Sequence, residues 1–357
     1  MTDSSPQPAA KVATLRGTVE PGFEGVRAAF ERGFEKGELG AAVSAYVDGR
    51  KVVDLWGGWA DAARTHAWRR DTIVTTFSAT KGITATCAHR LVDQGVLDLN
   101  ERVATHWPEF AQAGKAEVTV RMVLTHQAGL NRTSAPIPPE KRWDRATLTD
   151  ALARSAPAWP PGTRAEYHGG TFGFLVGEVL RRIDGRPLDV YFHEEIAEPL
   201  GVDYLIRVGP EHDKRCAEVV GPDDMVGPAN TREYRGLGDG AATSMGTADG
   251  LARVYAALAR GGELDGVRVL RSATIAAAVQ EQEMLPGDAG GSFGLGYQLL
   301  WKVYPALPFG VFGHTGMGGS IGLADPAKKL GFAFVANQIP TNGTAHLIAA
   351  TYRAIGA

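Results

Sequence analysis

The chain has 357 residues, 44% hydrophobic and 22% charged, the balance of a globular protein rather than a disordered or fibrous one. A formal net charge of −3 excludes the dense basic surface that nucleic-acid binding demands. Two cysteines, Cys87 and Cys216, are too few for a disulfide framework or a four-thiolate zinc site.

Residues 1–21 are expected to form a flexible tail. Their early part is polar, with Ser4, Ser5, Pro6 and Pro8, and lacks the basic-then-apolar pattern of a secretory leader, so a cytoplasmic location is expected. No apolar run reaches the roughly 18 residues that a membrane span needs. Phe23, Val26, Phe30 and Phe34 then recur on one face of a helix. Residues 41–47 and 51–56 flank Asp48-Gly49, the pattern of a β-hairpin. Residues 78–94 read as a helix, with Ile83, Cys87, Leu91 and Val92 on one side and Gly95 as its stop.

From 100 to 240 helix-like stretches alternate with Pro-rich loops at 136–139 and 157–161. The best of them, 171–183, ends at Asp184-Gly185. A further helix fits 247–260, capped by Thr247. Strand patterns return at 294–303, 311–314, 320–324 and 330–337, with a turn at Asp325-Pro326 and a last helix at 346–355. This order has no regular βα alternation, which disfavours doubly wound sheets and (β/α)₈ barrels. An α+β fold is expected. Residues 22–99 and 241–357 would together build an antiparallel sheet lobe flanked by helices, and 100–240 a mainly helical lobe.

Chemistry concentrates at three places. In Ser78-Ala79-Thr80-Lys81 the serine and lysine stand at i and i+3, about 5–6 Å apart at Cβ if the segment is helical. Serine attacks only when a base takes its proton, and lysine is that base only as a neutral amine, with its pKa lowered towards ~7–8. The helix N-terminus favours this state, because its partial positive charge disfavours an ammonium. The second place is Glu166-Tyr167-His168, and the third is His314-Thr315-Gly316, followed by Met317-Gly318-Gly319. Small residues after a strand let a substrate lie along its edge, with a main-chain N–H aimed at its carbonyl.

In this order, and with Leu124-Thr125-His126-Gln127-Ala128-Gly129-Leu130 between the first two, the motifs resemble the serine β-lactamase and penicillin-binding-protein superfamily, in its class C β-lactamase and family VIII esterase branch. The likeness runs over about residues 22–356 and includes 172–178 and 293–298. It implies a β-lactamase/transpeptidase-like fold with the active site between the two lobes. It also implies Ser78 as the acylated nucleophile, Lys81 and Tyr167 sharing proton transfer, and an oxyanion hole made by the N–H groups of Ser78 and Met317. His314 would stand where many relatives carry a lysine, with Gly316 and Met317 along the substrate. One departure is clear: relatives with Tyr-x-Asn have a carboxamide where this chain has Gly169, after Tyr167-His168. An ester is therefore favoured over an amide or lactam. His168 either takes over part of the missing role in binding substrate or serves to hold the segment.

Other patterns carry less. Gly290-Gly291-Ser292-Phe293-Gly294 and Gly318-Gly319-Ser320-Ile321-Gly322 match a nucleophile elbow but lack strand-turn-helix context. With 45 glycines in the chain, chance accounts for them. Gly236-x-Gly-x-Gly lacks the surroundings of a dinucleotide site, and the nine histidines show no metal-ligand spacing. The expectation is a cofactor-free serine carboxylesterase acting on short- to medium-chain esters, with a small ester or acyl donor as its partner and neither nucleic acid nor membrane. Acyl transfer to another acceptor, β-lactam or D-alanyl-peptide hydrolysis, and a non-catalytic binding role are the alternatives.

Overall fold

The N-terminal hairpin and the C-terminal strands meet in one sheet in the computed structural model, which describes residues 14–356 apart from 284, 305 and 342. The seven strands are β1 (Leu15–Val19), β2 (Gly40–Val47), β3 (Arg50–Gly58), β4 (Gln298–Leu299), β5 (Phe312–Thr315), β6 (Ile321–Asp325) and β7 (Leu330–Ala336). Their spatial order is β1-β3-β2-β7-β6-β5-β4, with every neighbouring pair antiparallel. The seam between the two ends of the chain is β2 with β7, in register from Leu330 opposite Val47 to Ala336 opposite Ala41. Asp48 and Gly49 both take positive φ, +48° and +81°, the turn whose twist matches a tight hairpin.

Helices cover both faces of this sheet. Against one lie α1 (Glu24–Glu35) and, from the far end of the chain, a helix at Thr344–Ala354; they bury Val26, Phe30, Leu347 and Ile348 with Val43, Leu55, Phe332 and Phe334. Two further helices matter to the site: α2 (Thr80–Asp93) and α3 (Thr171–Asp184), which pack on one another. The second sheet face is covered by α4 (Ala248–Ala259), whose Thr247 cap accepts from Gly250 N at 3.0 Å, as the sequence led us to expect. Gly331 lets this helix come close, since a Cβ there would stand 2.3 Å from Ala256 N.

Two elements differ from expectation. The supposed tail ends early: residues 15–19 pair with β3 as an edge strand, while 1–13 lie outside the described residues. This strand escaped notice because it is five residues long and interrupted by Gly17. The expected strand at 294–303 shrinks to β4, and Leu300–Val303 is a helical turn. Gly296, at φ +87°, turns the chain against α2 here, where a Cβ would lie 2.7 Å from that of Ala85.

The regular elements of the stretch 100–240 are helices and helical turns, apart from the two-residue strand Tyr204–Leu205, which joins Met245–Gly246 and Val74–Thr75 in a small sheet. This ties the helical stretch to the segment entering α2. Within the same stretch, Lys115 is fully buried, and its ammonium donates to the carbonyls of Gln112 at 2.9 Å, Ala153 at 3.0 Å and Ser155. Removing it strands the buried carbonyls of Ala153 and Ser155. Lys115→Met is expected to cost about 3 kcal/mol of stability, read by urea unfolding, with little change in turnover by the folded fraction. Among the described residues no helix is long and apolar enough to cross a membrane.

Candidate active site

Ser78 sits in a single 3-10 turn, Phe77–Ala79, immediately before α2. The turn is strained: Phe77 is a buried aromatic at φ +48°, a region that bulky residues avoid. Its neighbour Thr76 is fixed on both sides, its N–H donating to Ser244 O at 3.0 Å and its hydroxyl lying 2.6 Å from that of Tyr204. Gly316 presses on the same turn, for a Cβ there would fall 2.1 Å from Thr76 O. The glycine of His314-Thr315-Gly316 is thus required by the close approach of the strand end to the Ser78 turn. Ser78, Tyr167, Gly316 and Met317 all remain partly exposed.

Lys81 lies one helical turn on and is fully buried. Its Nζ is 3.0 Å from Ser78 Oγ and also donates to Ala241 O at 3.0 Å. Burial pushes its pKa down to about 7, partly opposed by the negative charge of Asp239. Near neutrality a large share of the amine is therefore unprotonated. In that state the 3.0 Å contact can run the other way, with the Ser78 hydroxyl donating to Lys81. The helix differs from the expected one-sided pattern because Thr80 to His89 is buried all round.

Tyr167 completes a triangle. Burial raises its pKa to about 12, partly opposed by the Ser78 hydroxyl, and Lys81 Nζ lies 4.8 Å from its ring centroid. Its backbone is pinned by Tyr167 N donating to Asp288 O at 2.9 Å. The His126 ring packs 4.9 Å from it and the His314 ring 6.3 Å. His314 is buried on β5, with Nδ1 2.7 Å from Thr315 O, and desolvation lowers its pKa to about 3. It is a neutral polar group, not a cation, at physiological pH. The strand carrying it is braced by Gln298, whose Oε1 accepts from the N–H and hydroxyl of Thr315 at 2.8 and 2.9 Å.

His168 is fully buried, and of its two ring nitrogens Nε2 accepts from Leu130 N at 3.0 Å while Nδ1 lies 2.7 Å from Glu166 O. Neither is left for a substrate, which corrects the expectation that it binds one. Its own N–H donates to His126 Nδ1 at 3.2 Å, so the two histidines hold the Tyr167 segment to the 126–130 loop. Gly169 supplies no side chain, and a Cβ there would come no nearer than 4.0 Å to the Tyr167 ring. The glycine-flanked Ser320 is buried and leads directly into strand β6, so it is no strand-to-helix elbow. Among the described residues no group of three or more His, Cys, Asp or Glu is placed to hold a metal ion.

Sequence reasoning missed Ala241 and Asp239. The first acts through its main-chain carbonyl, which no motif records; for the second, an aspartate set between the glycines of Gly236-x-Gly-x-Gly was the signal available.

The family description Beta-lactamase matches residues 26–357. The chain is 35% identical to an esterase/beta-lactamase, LipL, of Mycobacterium tuberculosis, over 90% of this chain and 83% of that one. Among solved structures it is similar to a family VIII carboxylesterase, with 37% identity, a TM-score of 0.87, and coverage of 96% and 100% of the two chains. It is also similar to EstA from Arthrobacter nitroguajacolicus Rue61a, with 30% identity, a TM-score of 0.83, and coverage of 95% and 98%. The Ser78–Lys81 pair, reached by Tyr167 and closed by the β5 edge, is thus found in a serine hydrolase that belongs to the beta-lactamase family.

Proposed function

We propose that the protein is a carboxylesterase cleaving short- to medium-chain esters through an acyl-Ser78 intermediate, without a cofactor. The observation that carries this reading is the 3.0 Å contact between Ser78 Oγ and a buried amine whose pKa lies at about 7. Ser78 Oγ attacks the ester carbonyl carbon while its proton passes to Lys81. The developing oxyanion is met by the N–H groups of Ser78 and Met317, and the acyl group lies along Gly316. The carbon–oxygen bond to the alcohol then breaks, and Tyr167 delivers the proton to the departing oxygen. Water attacks the acyl-enzyme, its proton returns through Tyr167 and Lys81, and the carboxylic acid leaves with Ser78 restored. His314 supports Tyr167 as a neutral neighbour.

Two facts favour esters over amides. Gly169 offers no carboxamide to hold a substrate amide, and esters carry the better leaving group. A relative described as a family VIII carboxylesterase, at 37% identity, points the same way.

Intact-protein mass spectrometry after mixing with p-nitrophenyl acetate, butyrate and octanoate, and separately with nitrocefin, tests the reading. One acyl mass on the peptide containing Ser78, with ester turnover far ahead of nitrocefin turnover, is the expected result. An adduct on another residue, or nitrocefin turnover rivalling that of the esters, would overturn it.

A further inference from the structure

The Gly236-x-Gly-x-Gly stretch has a physical explanation other than nucleotide binding. Asp239, 5% exposed, stands at its centre. Its Oδ1 accepts from the N–H groups of Ala241, Ala242 and Thr243 at 2.8, 2.8 and 3.0 Å, and from the Thr243 hydroxyl at 3.1 Å. In return Asp239 N donates to Thr243 Oγ1 at 3.1 Å. The flanking glycines make this turn possible: Gly238 and Gly240 take φ of +63° and +69°. At Gly240 a Cβ would also fall 2.4 Å from Leu188 Cδ2. The loop so formed docks on α2 at two points one turn apart. Gly240 O accepts from the Thr84 hydroxyl at 2.6 Å, and Ala241 O accepts from Lys81 Nζ at 3.0 Å.

We propose that Asp239 is a positioning residue for Lys81: its carboxylate holds the loop that aims the Ala241 carbonyl at the amine, and its charge acts on that amine across the loop. This rests on the reading of Lys81 as the proton acceptor of Ser78. The other groups that face Lys81 are Ser78 from its own turn, Tyr167, and the rings of His126, His168 and His314. Burial holds these three histidines well below their ordinary pKa, to about 4 for His168 and about 3 for His314, so they are neutral near pH 7. Asp239 then contributes the negative charge that opposes desolvation of the ammonium. A buried lysine without it would lose its proton at lower pH and become a feebler base. The carboxylate keeps the amine basic enough to pull a proton from serine, while burial keeps it unprotonated near neutrality.

The test is the pH dependence of p-nitrophenyl butyrate hydrolysis and of fluorophosphonate labelling of Ser78, in wild type, Asp239→Asn and Thr243→Val. Asp239→Asn keeps the shape and an acceptor oxygen. Its acidic limb should move about one pH unit lower, and its plateau kcat should fall about three- to tenfold. Thr243→Val loosens the loop but keeps the charge, so it should lower kcat with the limb in place. An unmoved limb in Asp239→Asn, an equal shift in Thr243→Val, or an Asp239→Asn chain that does not fold would each overturn the proposal. If wild type itself shows no labelling at Ser78, the esterase reading fails first. Normal wild-type labelling with an unmoved Asp239→Asn limb sinks the Asp239 proposal alone.

Discussion

Ser78→Ala should lower ester turnover by about 10⁴-fold or more while leaving thermal unfolding close to that of wild type. The two halves of this result have separate causes. The side chain removed is small and partly exposed, and it fills no core position. Its hydroxyl, however, is the only oxygen in the Lys81–Tyr167 triangle free to form an ester bond, since the Tyr167 hydroxyl is held protonated by burial. Steady-state assays on p-nitrophenyl esters beside a melting curve read both halves. Turnover reduced less than tenfold would move the nucleophile elsewhere, and Ser320 would then have to be reconsidered.

Lys81→Met should reduce kcat on the order of 10³–10⁴-fold and should also abolish the acidic limb of the pH profile. In wild type that limb should belong to the amine: with Lys81 as the base, turnover should rise with pH through about 7. The same substitution should make the protein more stable at neutral pH. The folded-state pKa, about 7, lies below the ordinary lysine value, so between the two the unfolded chain binds more protons than the folded one. Stability of wild type therefore rises with pH across that window, and below it the full cost of burying the amine is felt. Methionine fills the same space with no charge to desolvate, so the gain in melting temperature should be larger at pH 6 than at pH 9. An inactive variant that is also destabilised would mean that the Lys81–Ala241 hydrogen bond outweighs desolvation.

Patterns with a strong local cause were legible in the sequence. Asp48-Gly49 demands a backbone that only a tight hairpin uses, Thr247 caps its helix through its own side chain, and Gly185 ends α3 in the left-handed conformation. Ser78 and Lys81 were legible because helical spacing alone brings them together. What stayed hidden depends on partners far along the chain. Arg16 and Thr18 point outward on an edge strand whose register is set wholly by β3, so nothing local distinguishes it from a tail. His168 reads as a candidate ligand until Leu130 and Glu166 are found to occupy both nitrogens. Ala241 contributes a carbonyl, which every residue has, and Gly316 reveals its purpose only when Thr76 is seen against it.

The seam between β2 and β7 has a consequence for how the enzyme comes into being. Residues 330–336 pair there with 41–47 from the opposite end of the chain. Just beyond the seam Asn337 donates to the Trp59 carbonyl, 278 residues away, and the strand edge beside Ser78 is likewise made of late residues. Ser78 and Lys81 are synthesised well before the strand Phe312–Thr315 and Gly316, which close on the Ser78 turn. Closing such a distant pairing is slow for a polypeptide. Until it closes, the Ser78 turn lacks the strand end that Gly316 brings against Thr76.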